Sequence, residues 1–242
     1  MARQAAKRVA DEPAFILHTR AYRETSALLE CITSAHGRIG LVVRGLRRER
    51  SRFPRGLLQP LQPLMISWAG QGELVTLTGA EAASAPLTLS GERLYSAMYL
   101  NELVLRLTPR GDPQGNLFDL YRLCLQRLAD GESEGWSLRR FERDLLEQIG
   151  YALVLDTEAD LTTPIIGKNE YVFVPDEGPS RWIGQQGALR VRGDALLAMA
   201  RDTEPAAADA DSLRRLMRVL LRHQLGGADL NAWSMTRMAK ST

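Results

Sequence analysis

The residue types best able to do chemistry are thinly spread in this 242-residue chain, and their spacing excludes most catalytic arrangements. The two cysteines, Cys31 and Cys124, and the three histidines, His18, His36 and His223, lie far apart. Two thiols cannot build a disulfide framework or a four-cysteine zinc site, so neither a metal nor another cofactor is expected. Cys31 sits in an apolar run and Cys124 between Leu123 and Leu125, where buried, unreactive thiols are the expectation. His36, before Gly37, has no carboxylate nearby in sequence and reads as a polar turn residue. The phosphate loop G-x-x-x-x-G-K-[ST], the H-E-x-x-H helix and a Gly-rich dinucleotide turn are all missing. The expectation is a protein that is not an enzyme.

The chemistry the sequence does concentrate is positive charge. The net charge is only +2, but residues 1–80 carry 12 Lys/Arg against 6 Asp/Glu, and the rest carries 19 against 23. A polyanion partner is therefore sought in the first third. Arg44, Arg47, Arg48, Arg50, Arg52 and Arg55 fall within twelve residues opposed only by Glu49, and Arg20, Arg23 and Arg38 lie close by in sequence. Guanidinium suits phosphate forks and base stacking, and 28 of the 31 basic residues are arginine. A solvated loop is the bland alternative. Against it, the run is single-signed, and Gly45, Pro54 and Gly56 keep it loop-like so that its side chains can converge. Tyr22, beside Arg20 and Arg23, and Phe53, inside the run, are the aromatic residues that could stack on bases or simply pack inward.

Elements to position this loop are visible in the hydropathy pattern. Residues 14–20, 27–34 and 38–44 are apolar or alternating runs of strand length that form a meander, and 64–68 and 74–78 flank a glycine-bearing hairpin turn, Ala69-Gly70-Gln71-Gly72. Five strands in so short a stretch predict a small closed barrel, because closure removes exposed edges. From residue 81 the period becomes helical, with helices over 92–107, 116–129 and 137–149 and, later, 193–201 and 211–225. Between them, 151–193 is irregular with short strands at 171–175 and 188–191. The class is α+β, with a barrel domain over 1–80 and a mainly helical domain over 81–242 carrying the irregular β insert.

Two helices carry further arginines. Arg139, Arg140 and Arg143 make the start of one helix basic, and Arg214, Arg215, Arg218 and Arg222 form a stripe beside Leu213, Leu216, Leu220 and Leu221. Each reads either as a face compensated by neighbouring carboxylates or as a site for an acidic, hydrophobic tail of a partner.

Several runs, taken in order, resemble the bacterial RecO family of DNA repair proteins. They are Ala14-Phe15-Ile16-Leu17-His18-Thr19-Arg20-Ala21-Tyr22-Arg23-Glu24-Thr25-Ser26, Gly37-Arg38-Ile39-Gly40-Leu41-Val42-Val43-Arg44-Gly45, Leu57-Leu58-Gln59-Pro60-Leu61-Gln62-Pro63-Leu64 and Gly72-Glu73-Leu74-Val75-Thr76-Leu77-Thr78-Gly79-Ala80-Glu81. Leu94-Tyr95-Ser96-Ala97-Met98-Tyr99-Leu100-Asn101-Glu102-Leu103, Leu138-Arg139-Arg140-Phe141-Glu142 and Leu225-Gly226-Gly227 continue the likeness to the end of the helical part. The resemblance implies an N-terminal oligonucleotide-binding (OB) barrel and a helical domain. It also implies a recombination mediator that binds single- and double-stranded DNA and anneals strands coated by single-stranded DNA-binding protein, engaging that protein's acidic C-terminal tail. With RecR, such a mediator helps load RecA. Some members carry a four-cysteine zinc site after the first helices. This chain has no cysteine beyond Cys124 and resembles the branch without it.

The leading expectation is a DNA-binding, strand-annealing protein gripping phosphate with Arg38, Arg44, Arg47, Arg48, Arg50, Arg52 and Arg55, together with Arg20 and Arg23. Arg139, Arg140, Arg143, Arg214, Arg215 and Arg218 are the candidates for partner contact. A protein-interaction adaptor with a solvated basic loop and an RNA-binding factor are the alternatives. No membrane-spanning run exists and Met1-Ala2-Arg3-Gln4 leads toward Asp11-Glu12-Pro13 without an apolar core, so a cytoplasmic, nucleoid-associated location is expected.

Overall fold

The strand-length apolar runs of the first third do close on themselves. A computed structural model describes residues 8–54, 56–113, 115–185 and 189–234, so Arg55 and Ala188 lie outside the described residues. Strands β1 (Arg8–Tyr22), β2 (Ser26–Thr33), β3 (Gly37–Val43), β4 (Leu64–Ala69) and β5 (Leu74–Ala82) form a closed barrel in the order β1-β2-β3-β5-β4. β1 begins at Arg8, six residues before the expected start, because its first half must pair with β4 to seal the barrel while its second half pairs with β2. Asp11, Glu12 and Pro13 hid that half by breaking the apolar alternation. Closure is completed by a short parallel seam in which Gly40, Leu41 and Val42 of β3 face Leu74, Val75 and Thr76 of β5.

Both faces of β1 and β2 are buried, and two separate layers account for this. Ala14, Ile16, Leu29, Cys31, Ile39, Leu41, Val43, Leu64, Ile66 and Trp68 fill the barrel. Phe15, Leu17, Leu28 and Ile32 point the other way and are buried as well. Helices α1 (Glu92–Leu107) and α2 (Leu117–Ala129) follow, and Phe15 stacks at 5.7 Å from Phe118 and 5.4 Å from Tyr121 of α2. Tyr121 in turn donates its hydroxyl to Asn101 of α1 at 2.6 Å. Glu30 of β2 is pinched between two guanidiniums, Arg38 of β3 at 2.6 Å and Arg110 beyond α1. Arg38 also donates to the Thr108 carbonyl at 2.8 and 3.0 Å. The close approach of the segment after α1 requires Gly37: a Cβ there would lie 2.2 Å from the Asp112 carbonyl oxygen, and its φ of +63° suits glycine. The barrel, α1 and α2 form one compact unit up to Asp130, joined by the residues from Leu230. Leu230 is buried, and the amides of Asn231 and Ala232 donate to the Glu102 carboxylate at 2.8 and 2.9 Å.

Gly131 to Asp229 make the second unit. It holds α3 (Glu134–Gln148), a sheet ordered β7-β6-β8 from β6 (Glu170–Val174), β7 (Gly178–Arg181) and β8 (Arg190–Arg192), and helices α4 (Gly193–Ala200) and α5 (Ala207–Gln224). α5 starts four residues before the expected 211, since Ala207 and Ala208 are strong helix formers and Asp209 favours the N-terminal turn. β7 was not visible in the sequence because Gly178-Pro179-Ser180-Arg181 lacks apolar alternation; as an edge strand it tolerates its proline.

The four-cysteine site of some family members does not fit this chain. Cys31 is inside the barrel and Cys124 in α2, and neither lies in the second unit. Apolar burial and local hydrogen bonds organise the irregular region instead. Leu155, Ile165, Tyr171 and Val191 are buried, and the Tyr171 hydroxyl accepts the Ile166 amide at 2.8 Å. Asp160 accepts the amides of Thr162 and Thr163 and the Thr163 hydroxyl, bonds that pull its carboxyl down to about 2. Among the described residues no His/Cys/Asp/Glu group could hold a metal, and no helix is long and apolar enough to cross a membrane.

Replacing Glu30 by Gln leaves Arg38 and Arg110 facing each other across a nearly dry site. Removing one partner from such a cluster is expected to destabilise the protein by about 3 kcal/mol, read as a lower urea midpoint at unchanged slope. A midpoint equal to wild type would show that the cluster does not hold the first unit together.

Candidate nucleic-acid interface

The β1–β2 turn and the segment leaving β3 emerge at the same end of the barrel, because Ala27 pairs with Val43. They are tied directly: the Arg47 amide donates to the Thr25 carbonyl at 3.0 Å, and the Arg48 amide closes a turn on Gly45 at 3.1 Å. Arg23 sits at the tip of the β1–β2 turn with φ of +54°, an uncommon conformation for a residue with a side chain. Its guanidinium lies 5.2 Å from the centroid of the Tyr22 ring. Between these loops and the β3–β5 seam runs a groove of about 660 Å³ lined by Tyr22, Arg23, Arg44 and Arg48, with Val42 and the hydroxyls of Thr25, Ser26 and Thr76.

The structure thus brings Arg23, from one sequence cluster, together with Arg44 and Arg48 from another. Arg20, Arg47, Arg50 and Arg52 are exposed on the same strand and loop without lining the groove. None of these seven guanidiniums has an ion-pair partner among the described residues. Arg38 is placed differently, with its side chain 14% exposed and committed to Glu30 and Thr108. Phe53 is not a surface ring: it is 7% exposed and belongs to the barrel core, with Leu46, Leu57 and Leu58 packed beside it. The arginine loop is therefore laid over a hydrophobic plug. Thr76, Val42 and Ser26 were not singled out from sequence, since small residues acquire a role only when the seam brings them beside the arginines.

The other end of the barrel has a groove of about 690 Å³ with a different lining, including Val9, His36, Ile39, Trp68, Glu73 and Arg110. His36 meets the Trp68 ring edge-on at 5.1 Å, and its Nδ1 is 3.5 Å from Glu12, a carboxylate far away in sequence. Arg110 there is neutralised by Glu30 and, at 3.7 Å, by Glu73. Burial and the adjacent Glu30 push the Cys31 thiol up, so no thiolate nucleophile is available inside the barrel.

Comparison with known proteins agrees with this architecture. The family described as recombination protein O N terminal matches residues 8–86, and recombination protein O C terminal matches 89–233. The chain belongs to the RecO family. It is similar to the DNA repair protein RecO of Nitrosococcus oceani, 46% identical over 227 residues that cover 93% of this chain and 92% of that protein. The RecO of Stenotrophomonas maltophilia is 44% identical over 230 residues, 94% of this chain and 96% of its relative. That of Xylella fastidiosa is 42% identical over 228 residues, 93% of each.

In this RecO-family chain the arginines of the second unit are matched by carboxylates to a degree that the barrel loop is not. Arg139 is buried against Glu142, Arg140 pairs with Asp202, and Arg143 with Asp144 at 2.7 Å and Asp202 at 3.0 Å. Arg214 and Arg215 share Asp211 at 2.6 and 2.7 Å, and Arg222 reaches Asp229 at 3.5 Å. Arg218 is half-buried on α5.

The plug yields a prediction that separates stability from charge. Phe53→Ala should destabilise by about 3 kcal/mol or more, as large-to-small changes at buried aromatics do. Thermal or urea unfolding checks it, and a change below about 1 kcal/mol would mean that the loop does not rest on that ring.

Proposed function

We propose that the basic end of the barrel is where this chain holds DNA, and that it anneals complementary strands by neutralising phosphates there while Tyr22 offers a ring to a base. As a member of the RecO family the chain is a recombination mediator in DNA repair. The observation that carries the finer reading is the group of exposed arginines without carboxylate partners among the described residues, around a groove with an aromatic wall. Such a surface releases condensed counterions when phosphate arrives, and that gain does not depend on base sequence. A base stacked on Tyr22 would add about 1–3 kcal/mol. Annealing needs no covalent chemistry: two strands whose phosphates are partly neutralised repel each other less and meet sooner.

The division of labour proposed is DNA on the barrel end, residues 1–80, and protein partners on the helical part, 81–242. RecR, the acidic tail of single-stranded DNA-binding protein and, through them, RecA are the partners in this reading. For the acidic tail, Arg214 and Arg215 are the favoured contact, because they share the single carboxylate of Asp211 and retain positive charge. Arg140 and Arg143 are more fully compensated by Asp202 and Asp144.

The test compares wild type with Arg44→Ala/Arg47→Ala/Arg48→Ala in binding and in annealing of oligonucleotides coated with single-stranded DNA-binding protein. Loss of three phosphate contacts should lower the slope of log affinity against log salt by about 2 to 3 units and slow annealing. An unchanged slope would move the DNA surface elsewhere.

A further inference from the structure

An exposed arginine next in sequence to an aromatic residue occurs again in the second unit, at the turn that leaves β7. Arg181 is exposed and has no carboxylate partner among the described residues. The next residue, Trp182, is half-buried, and the Arg190 guanidinium lies 4.8 Å from the centroid of its ring. Ile183 follows with 84% of its surface exposed, the highest value among the described large apolar residues.

This tip is held in shape. The Gln185 side-chain oxygen accepts the Ile183 amide at 2.8 Å, the Trp182 indole donates to the Gln185 carbonyl at 3.3 Å, and the Trp182 amide donates to Glu170 at 2.9 Å. Three hydrogen bonds thus hold the backbone of a tip whose isoleucine is exposed among the described residues. An ordered apolar residue flanked by a stacked Trp–Arg pair and a free arginine has the makings of a wedge: the apolar side chain enters between bases, the ring and guanidinium plane offer stacking, and the arginine meets phosphate. Of the other arginine–aromatic pairs, Phe53 is buried in the barrel and Arg140 beside Trp136 is paired with Asp202. Arg190 over Trp182 is likewise paired, with Glu170 at 3.0 Å, and what sets Trp182 apart is its place in sequence between the exposed Arg181, without an ion-pair partner among the described residues, and the exposed Ile183.

We propose that the Trp182–Ile183 tip is a second nucleic-acid contact, specific for the bases of an unpaired strand. The choice of ligand rests on the DNA reading of the barrel, but the contact is separate from it, since each lies in its own unit. One chain then has a phosphate-gripping groove for one strand and a base-engaging tip for another, the minimum equipment for pairing two strands on a single protomer.

The experiment uses the full chain with two surface variants, Trp182→Leu and Ile183→Ser, and the triple barrel variant Arg44→Ala/Arg47→Ala/Arg48→Ala. Tryptophan fluorescence is followed while an unpaired oligothymidylate of about 20 nucleotides is added, and annealing of a complementary mixed-sequence pair is timed. The chain has four tryptophans, and the part of the quenching lost in Trp182→Leu reports the tip. That variant is expected to lose most of the quenching, and Ile183→Ser to anneal about fivefold or more slowly with unchanged melting temperature. The barrel variant should bind weakly yet still show the Trp182 signal once saturated at low salt. Quenching and annealing equal to wild type in both tip variants would overturn the proposal, and if the barrel variant alone is impaired, the barrel reading stands without it. Loss of binding in the tip variants with the barrel variant unaffected would support the tip and refute the barrel site.

Discussion

Seven guanidiniums crowded at one end of a small barrel, with no carboxylate paired to any of them among the described residues, repel one another, and the surrounding structure is built to hold them in spite of it. At an effective dielectric typical of a protein surface, two such charges a few ångströms apart oppose each other by a few kcal/mol. The opposing forces come from below and from the side. Phe53 and Leu46 anchor the loop in the barrel core, and the Arg47 amide joins it to Thr25 of the neighbouring turn. A loop of the same composition without those anchors would splay into solvent. The fold stores unneutralised charge in a fixed place, where a polyanion would relieve it.

Within the first unit, α1 and α2 lie on another part of the barrel surface. On the outer face, Phe15 of β1 meets Phe118 and Tyr121 of α2, and Ile32 of β2 shares a small cleft with Val104 of α1 and Leu117 of α2. The one strongly acidic point on β2, Glu30, is consumed by Arg38 and Arg110. That arrangement serves two ends at once: it locks the helices to the barrel, and it keeps a buried carboxylate from competing for the exposed arginines. The same residue type therefore does opposite work a short distance apart in sequence. Arg38 is structural because Glu30, opposite Gly40, is its diagonal neighbour on the same face of the β2–β3 ladder, whereas Arg44 projects beyond the end of β3.

Much of the fold could be read from the residues because barrel strands and amphipathic helices impose short periods on a sequence. The interval 92–107 coincides with α1, and each of the five barrel strands includes most of a run that the pattern indicated, β1 and β5 extending beyond theirs. What escaped was determined by contacts distant in sequence. The first half of β1 exists because β4 needs a partner, and β7 because β6 offers an edge. The pairing of Arg140 and Arg143 with Asp202 spans about sixty residues, so the helical arginines could only be listed as charges, not recognised as compensated ones. The likeness of Phe53 to a surface stacker arose from its basic neighbours, while its burial comes from membership of the barrel core, against which Leu46, Leu57 and Leu58 also pack.

Amide hydrogen exchange with and without an unpaired oligonucleotide tests the central claim most directly, because it maps the strand on the intact chain without altering a residue. The account predicts slowed exchange in residues 22–26 and 42–48 around the basic groove, with residues 36–39 and 70–73 at the opposite end of the barrel unaffected. Slowing at the His36–Trp68 end alone, or none within the barrel, would contradict it.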